Sequence, residues 1–150
     1  MAKYSSANFA LSIADTDGAG GTLRDLTSYI TKLGDLTVSK GILDITPFGT
    51  AAAVLALGVF KTYEPFTIGG IFDDTATSGP DAVLNIGRST NTHTAVRKFL
   101  LTIGGANHLD GGGSTGGIWI LSYKRTFNVG EYTGWEAQLQ LSGTITENDV

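Results

Sequence analysis

The chain has no cysteine, two histidines, three prolines and one methionine among 150 residues. Without a thiol there is no disulfide scaffold, thiolate metal site or cysteine nucleophile, a composition compatible with synthesis in a reducing cytoplasm. His93 and His108 lie fifteen residues apart, outside the one-turn spacing by which two histidines share a metal ion. His108-Leu109-Asp110 brings one imidazole and one carboxylate together, fewer ligands than a structural metal site needs. There is no Gly-x-Ser-x-Gly elbow and no ordered Ser, His and Asp set, so the acid, base and nucleophile of catalysis find no cluster. The expectation is a non-enzymatic protein with no catalytic, cofactor-binding or metal-binding residue. No apolar run approaches the ~20 residues of a membrane span, and the opening MAKYSSANF carries no apolar stretch of signal-peptide length. Positive charge is scarce as well. Ten Lys and Arg against fourteen Asp and Glu give a net charge of −4, the opposite of the basic field that gripping phosphates demands.

What the chain does have is glycine, 21 of them, with 41% hydrophobic residues, which argues for a folded, turn-rich domain over residues 1–150. Alternation of period two dominates. Near the C-terminus Trp135, Ala137, Leu139, Leu141, Gly143 and Ile145 share one face, with Glu136, Gln138, Gln140, Ser142 and Thr144 on the other. Over 60–72, Phe60, Phe66, Ile68 and Phe72 oppose Lys61, Tyr63, Thr67 and Gly69. Residues 118–129 are apolar on both faces at first (Ile118, Trp119, Ile120, Leu121) and alternate only later. Residues 8–14, 36–46 and 96–103 read as further strands, and 23–26 as a short one. Helix signals are brief: Pro80 and Asp81 open a turn that Gly87 stops, Thr50 caps a second over 51–57 that Gly58 ends, and 28–33 suits a third. The fold class is therefore mainly β (α+β), with one or two short flanking helices.

Seven glycines fall within residues 104–117, too long and permissive a stretch for a hairpin turn of about 2–5 residues. It is expected to be a long loop, either disordered or ordered by a partner, with Gly104, Gly105, His108, Asp110, Gly111, Gly112 and Gly113 as the candidate intersubunit residues. The arm at 1–6 and the end at 148–150 hold little that would pin them, and are expected to be loose. Asp15-Thr16-Asp17-Gly18 resembles the start of a calcium loop, but Leu26 stands where the twelfth-position acid belongs, so a hairpin turn is the better reading. Asp73 and Asp74 are neighbours that a strand would point to opposite faces, which favours turn-capping over shared catalysis. Trp119, Tyr123 and Trp135 read as core aromatics before a ligand platform. The polar set Glu136, Gln138, Gln140, Ser142 and Thr144 includes no lysine or arginine, so this face lacks the cations that hold phosphates.

The order of three segments adds a family likeness. TLRDLTSYI stands at 22–30, LDITPFGTAAAVLALGVFKTYEPFTIGGIFDD at 43–74 and GWEAQLQLSGTITEN near the end. This succession resembles the major tail (tail tube) proteins of long-tailed bacteriophages. The resemblance implies a β-sandwich partly rolled into a barrel, one sheet of which joins its neighbours' sheets to line a channel. It also implies six-fold rings that stack into a tube for DNA ejection, a place in the virion tail after synthesis in the host bacterial cytoplasm, and no membrane span. The implied partners are the chain itself, the tape measure, the tail terminator and the baseplate, with DNA in transient, non-sticky passage. Two other readings stay open: a tail completion or neck protein of related fold, and an all-β carbohydrate- or protein-binding module.

Overall fold

The computed structural model describes Lys3, residues 8–127 and residues 129–148, the side chains of Val59 and Asn148 apart. In chain order the strands are β1 (Ala10–Ala14), β2 (Leu23–Asp25), β3 (Lys32–Leu33), β4 (Val38–Asp44), β5 (Leu55–Tyr63), β6 (Phe66–Ile71), β7 (Phe99–Gly104), β8 (Asn107–Gly111), β9 (Gly116–Thr126), β10 (Gly134–Gly143) and β11 (Thr146–Asn148). A 3-10 turn covers Thr27–Tyr29, and helix α1 covers Pro80–Leu84. The strands form a five-stranded sheet ordered β11-β8-β7-β1-β2, a four-stranded sheet ordered β3-β6-β10-β9, and a separate two-stranded hairpin of β4 and β5. Every named pairing is antiparallel.

The two larger sheets share one apolar core. Leu11 and Ile13 of β1, Phe99 and Leu101 of β7 and Leu109 of β8 meet Phe66 and Ile68 of β6, Ile118 and Ile120 of β9, and Trp135, Ala137, Leu139 and Leu141 of β10. The alternation legible in β10 is what places four of its side chains there and turns Glu136, Gln138, Gln140 and Ser142 away. In β9 a bulge against Gln138 and Leu139 inserts Leu121 as an extra residue, so Ile120 pairs with Leu139 and Ser122 with Gln138. The bulge switches which parity faces inward. That accounts for the doubly apolar start of this strand: Trp119 lies on the face opposite the core, edge-on to His93 at 5.4 Å, while Trp135 and Tyr123 stack within it at 6.2 Å. Pro80 opens α1 where its missing N–H costs nothing, and Val83 and Leu84 add to the core.

Several expectations need correction. The helix over 51–57 is absent: Ile45 N–H bonds Val54 O at 3.0 Å and Val54 N–H bonds the Thr46 hydroxyl at 2.7 Å, which closes a hairpin and commits Leu55 onward to β5. The strand expected over 60–72 is two strands broken at Glu64-Pro65, so Tyr63 is buried while Phe60 is exposed. The long glycine loop over 104–117 contains β8, reached from β7 by a two-residue turn at Gly105-Ala106, where Gly105 takes φ +60°. Its last two glycines, Gly116 and Gly117, answer to space: a Cβ on Gly117 would stand 2.3 Å from Arg97 O. Asn148, expected to be loose, pairs with His108 in β11; the rest of that end and, Lys3 apart, the arm over 1–6 lie outside the described residues.

Candidate assembly surfaces

The open face of the four-stranded sheet holds most of the polar residues singled out above. Glu136, Gln138, Gln140 and Ser142 project from β10, the central strand, flanked by β6 and β9. Thr144 falls past the end of β10, beyond Gly143 at φ +78°, and leaves the alternation. Gln140 is partly committed, its Nε2 donating to Tyr63 O at 2.9 Å. The face also carries cations that β10 alone does not reveal. Lys124 of β9 stands opposite Glu136 and pairs with it at 2.8 Å. The Lys124 hydrogen bond holds the Glu136 carboxyl below its ordinary range, against a push upward from burial, and Lys32 of β3 adds attraction from the other side. The face is polar but not free of positive charge: Lys124 and Lys32 stand beside one carboxylate, Glu136.

A second surface was invisible to the sequence reading. The β4–β5 hairpin stands outside both sheets, and its described residues between 38 and 60 expose nine large apolar side chains: Val38, Ile42, Leu43, Ile45, Phe48, Val54, Leu55, Leu57 and Phe60. Ile42 and Leu57 face each other across the ladder at 65% and 69% exposure, and Phe60 is 85% exposed. An isolated two-stranded ribbon is marginal in water, and an apolar patch of this extent marks a contact surface. At its base an open apolar cleft of about 480 Å³ runs between the sheets, lined by Leu33, Leu36, Val38, Tyr63, Phe66, Leu101, Ile103 and Leu109, with Asp35 and Glu147 among its lining residues. Burial, then the Glu147 carboxylate, pushes the Tyr63 hydroxyl upward.

The candidate loop residues sit at the other sheet. Gly104, His108, Asp110 and Gly111 belong to the β7–β8 hairpin, Gly105 to its turn, and Gly112 and Gly113 to the turn that leads toward β9. His108 Nδ1 lies 2.9 Å from Ala106 O, and its Nε2 4.0 Å from Asp110. The structure thus brings Gly104, Gly105, His108, Asp110 and Gly111 together on one hairpin, with Gly112 and Gly113 in the turn that follows, apart from the β10 set.

Beneath these surfaces lies a polar pin that sequence reasoning missed. Arg97 is fully buried, its Nε donating to Asp17 at 2.9 Å and its terminal nitrogens to Val83 O at 2.8 Å and to Asn91. Asp17 also accepts from Thr94 N–H, Ala95 N–H and His93 Nδ1. Burial pushes the Asp17 carboxyl upward, but these bonds outweigh it and hold the group far below the usual carboxylate range. The 15–21 turn, read as a hairpin connection, is in this way the anchor of the 91–97 segment. A second pin joins Asp81 of α1 to Arg125 of β9 at 2.7 Å and to Arg88 at 3.2 Å. Asp73, expected to cap a turn, accepts from Thr75 N–H at 2.7 Å. Among the described residues no group of three or more metal-ligating side chains converges. No helix there is long and apolar enough to cross a membrane.

No protein-family model and no curated protein matches the sequence. Solved structures do match over nearly the whole chain. A chain of the virion of a native gene transfer agent particle superposes with a TM-score of 0.70, covering 98% of this chain and 100% of that one at 11% identity. A chain from the tail of an empty gene transfer agent particle, refined with C6 helical symmetry, gives 0.69 at 12% identity with 98% and 100% covered. A chain of the sixfold-symmetrised anti-feeding prophage baseplate gives 0.68 at 6% identity with 97% of each covered. At these identities the likeness is one of fold: the chain has a mainly β, tail-tube-like fold.

Proposed function

We propose that this chain is a structural subunit of a phage tail tube, a non-enzymatic protein that assembles into hexameric rings stacked as a conduit for DNA. The observation that carries the reading is the β4–β5 arm, whose exposed apolar side chains have no partner surface within the subunit among the described residues. A neighbouring copy can supply that surface. Burying one large aliphatic or aromatic side chain contributes about 1.5–3 kcal/mol, so an arm of this composition favours association strongly. The free edges of the four-stranded sheet support the same reading, since head-to-tail joining of sheets satisfies backbone groups that are a hazard in a monomer and closes a ring if the rotation allows.

In such a ring the open face with Glu136, Gln138, Gln140 and Ser142 lines the lumen; Lys124 is held by Glu136 and most of the remaining groups are uncharged, so phosphates find few counterion-releasing contacts. The β7–β8 hairpin with Gly105, His108 and Asp110 contacts neighbouring subunits or successive rings. The location is the virion tail, and the further partners are the tape measure, tail terminator and baseplate proteins. Electron microscopy of the concentrated protein tests the reading: stacked rings are expected, single rings that do not stack fit a completion or neck protein, and persistent monomers fit a binding module.

A further inference from the structure

The two edges of the four-stranded sheet differ in how much of their length is open. At the β3 edge the extended stretch is short: Lys32 and Leu33 pair with β6, and the amides of Thr31 and Gly34 close the pairing on Gly69 O at 2.8 Å and Thr67 O at 2.7 Å. β9 is an 11-residue strand, and its register shows which groups point outward. Ile118 N–H donates away from β10, to Arg97 O at 2.9 Å, so Ile118 and Leu141 are a non-hydrogen-bonded pair of the β9–β10 ladder. Alternation along β10, with Leu121 as the extra residue, puts Ile120, Tyr123 and Arg125 in the same outward class.

The first half of this edge is already blocked. Ile118 exchanges both backbone bonds with Arg97, at 2.9 and 3.0 Å. Ile120 N–H donates to His93 Nε2 at 3.0 Å. Both blocking residues are fixed, His93 by donating from Nδ1 to Asp17 at 2.8 Å and Arg97 by complete burial against the same carboxylate. Among the described residues nothing pairs with the outward backbone groups of Tyr123 and Arg125. The charges of this open half are matched within the chain, Lys124 by Glu136 and Arg125 by Asp81, so they do not repel an incoming strand.

We infer that His93 and Arg97 form a stop that sets the register in which a second copy adds a strand to β9. They mask residues 116–120 and leave 122–126, five residues, close to the four of the 31–34 edge on the opposite side of the second copy's sheet. This rests on the assembly reading above. An unmasked edge of β9's full length would offer several registers, and a one-residue slip would turn the polar face of the joined sheet inside out.

Residue-resolved hydrogen exchange on dilute and assembled protein tests the stop. In dilute wild type the Ile118 and Ile120 amides are protected, whereas Tyr123 and Arg125 exchange at least about tenfold faster; assembly adds protection at Tyr123 and Arg125 and leaves the other two unchanged. His93→Ala releases the Ile120 amide and yields irregular, mixed-register assemblies, and His93→Gln, which retains an acceptor and a donor, restores both. Because the chain has no cysteine, a second measurement reads the register directly on the open polar face: Ser122→Cys with Lys32→Cys cross-links between copies, and Trp119→Cys with Lys32→Cys does not. Equal cross-linking of the two pairs, or His93→Ala assemblies as uniform as wild type, overturns the inference. Should wild type stay monomeric at every concentration, the tube reading fails separately; His93→Ala that then associates supports the stop, and His93→Ala that stays monomeric overturns it.

Discussion

Replacing Ile42 and Leu57 together by serine separates folding from assembly. The two side chains face each other across the β4–β5 ladder and stand 65% and 69% exposed, so about two-thirds of their surface remains to be covered by a neighbour. Full burial of such a side chain is worth about 1.5–3 kcal/mol, which leaves about 1–2 kcal/mol each, or about 2–4 kcal/mol per subunit for the pair. At about 1.4 kcal/mol per factor of ten, the critical concentration for polymerisation rises about 30- to 700-fold. The subunit itself has little to lose, because Ile42 and Leu57 lie outside the shared core that Tyr63 alone of this arm joins, and its unfolding free energy is expected to move by no more than about 0.5 kcal/mol. Light scattering across a concentration series gives the first quantity, and urea unfolding of the dilute protein the second. An unchanged critical concentration with an intact fold would refute the assignment of the arm as the assembly surface. A collapse of the monomer would show instead that the arm is part of the folding unit.

Gly117→Ala, whose Cβ would meet Arg97 O at 2.3 Å, is expected to destabilise the subunit by about 1–3 kcal/mol, whereas Gly112→Ala, with open space around it, changes the urea midpoint little. Asp17→Asn leaves buried Arg97 without its counter-charge and costs about 3–5 kcal/mol. In wild type the Asp17 carboxyl is held below its unfolded value, so its contribution to stability is full above about pH 4 and is lost as pH falls through the folded-state titration; acid unfolding curves of the two proteins, converging as pH drops, check this. Gln138→Lys adds an unpaired cation to the open sheet face and is expected to spare ring formation but to retain short duplex DNA in assembled tubes, an effect that fades with added salt; retention identical to wild type at low salt counts against the lumen assignment.

The sequence made β10 legible because both of its faces are consistent along its length, apolar toward one core and polar toward the open side. The glycines misled for a physical reason: composition does not distinguish a glycine chosen for freedom from one chosen for lack of a side chain, and Gly116 and Gly117 are of the second kind, with backbone oxygens where a Cβ would stand. The arm was misread for another. Thr50, three alanines and Gly58 have the order of a capped helix, yet the decisive contacts join Ile45 and Thr46 to Val54 across the tip. Its exposure could not be read from hydrophobicity, which describes what a segment will bury and not where the burying partner lies. The charge of the candidate lumen was underestimated because Lys124 and Lys32 reach that face from strands distant in sequence. The Asp17–Arg97 pin left a signal only in retrospect, a carboxylate in a glycine-rich turn too poor in ligands to hold calcium.

Cryo-electron microscopy of the concentrated protein tests the central claim most directly. Closed six-fold rings stacked into tubes are expected, with Gln138 and the Lys124–Glu136 pair facing the lumen and the β4–β5 arm packed on a neighbouring copy. Protein that is folded yet monomeric at millimolar concentration would contradict that claim.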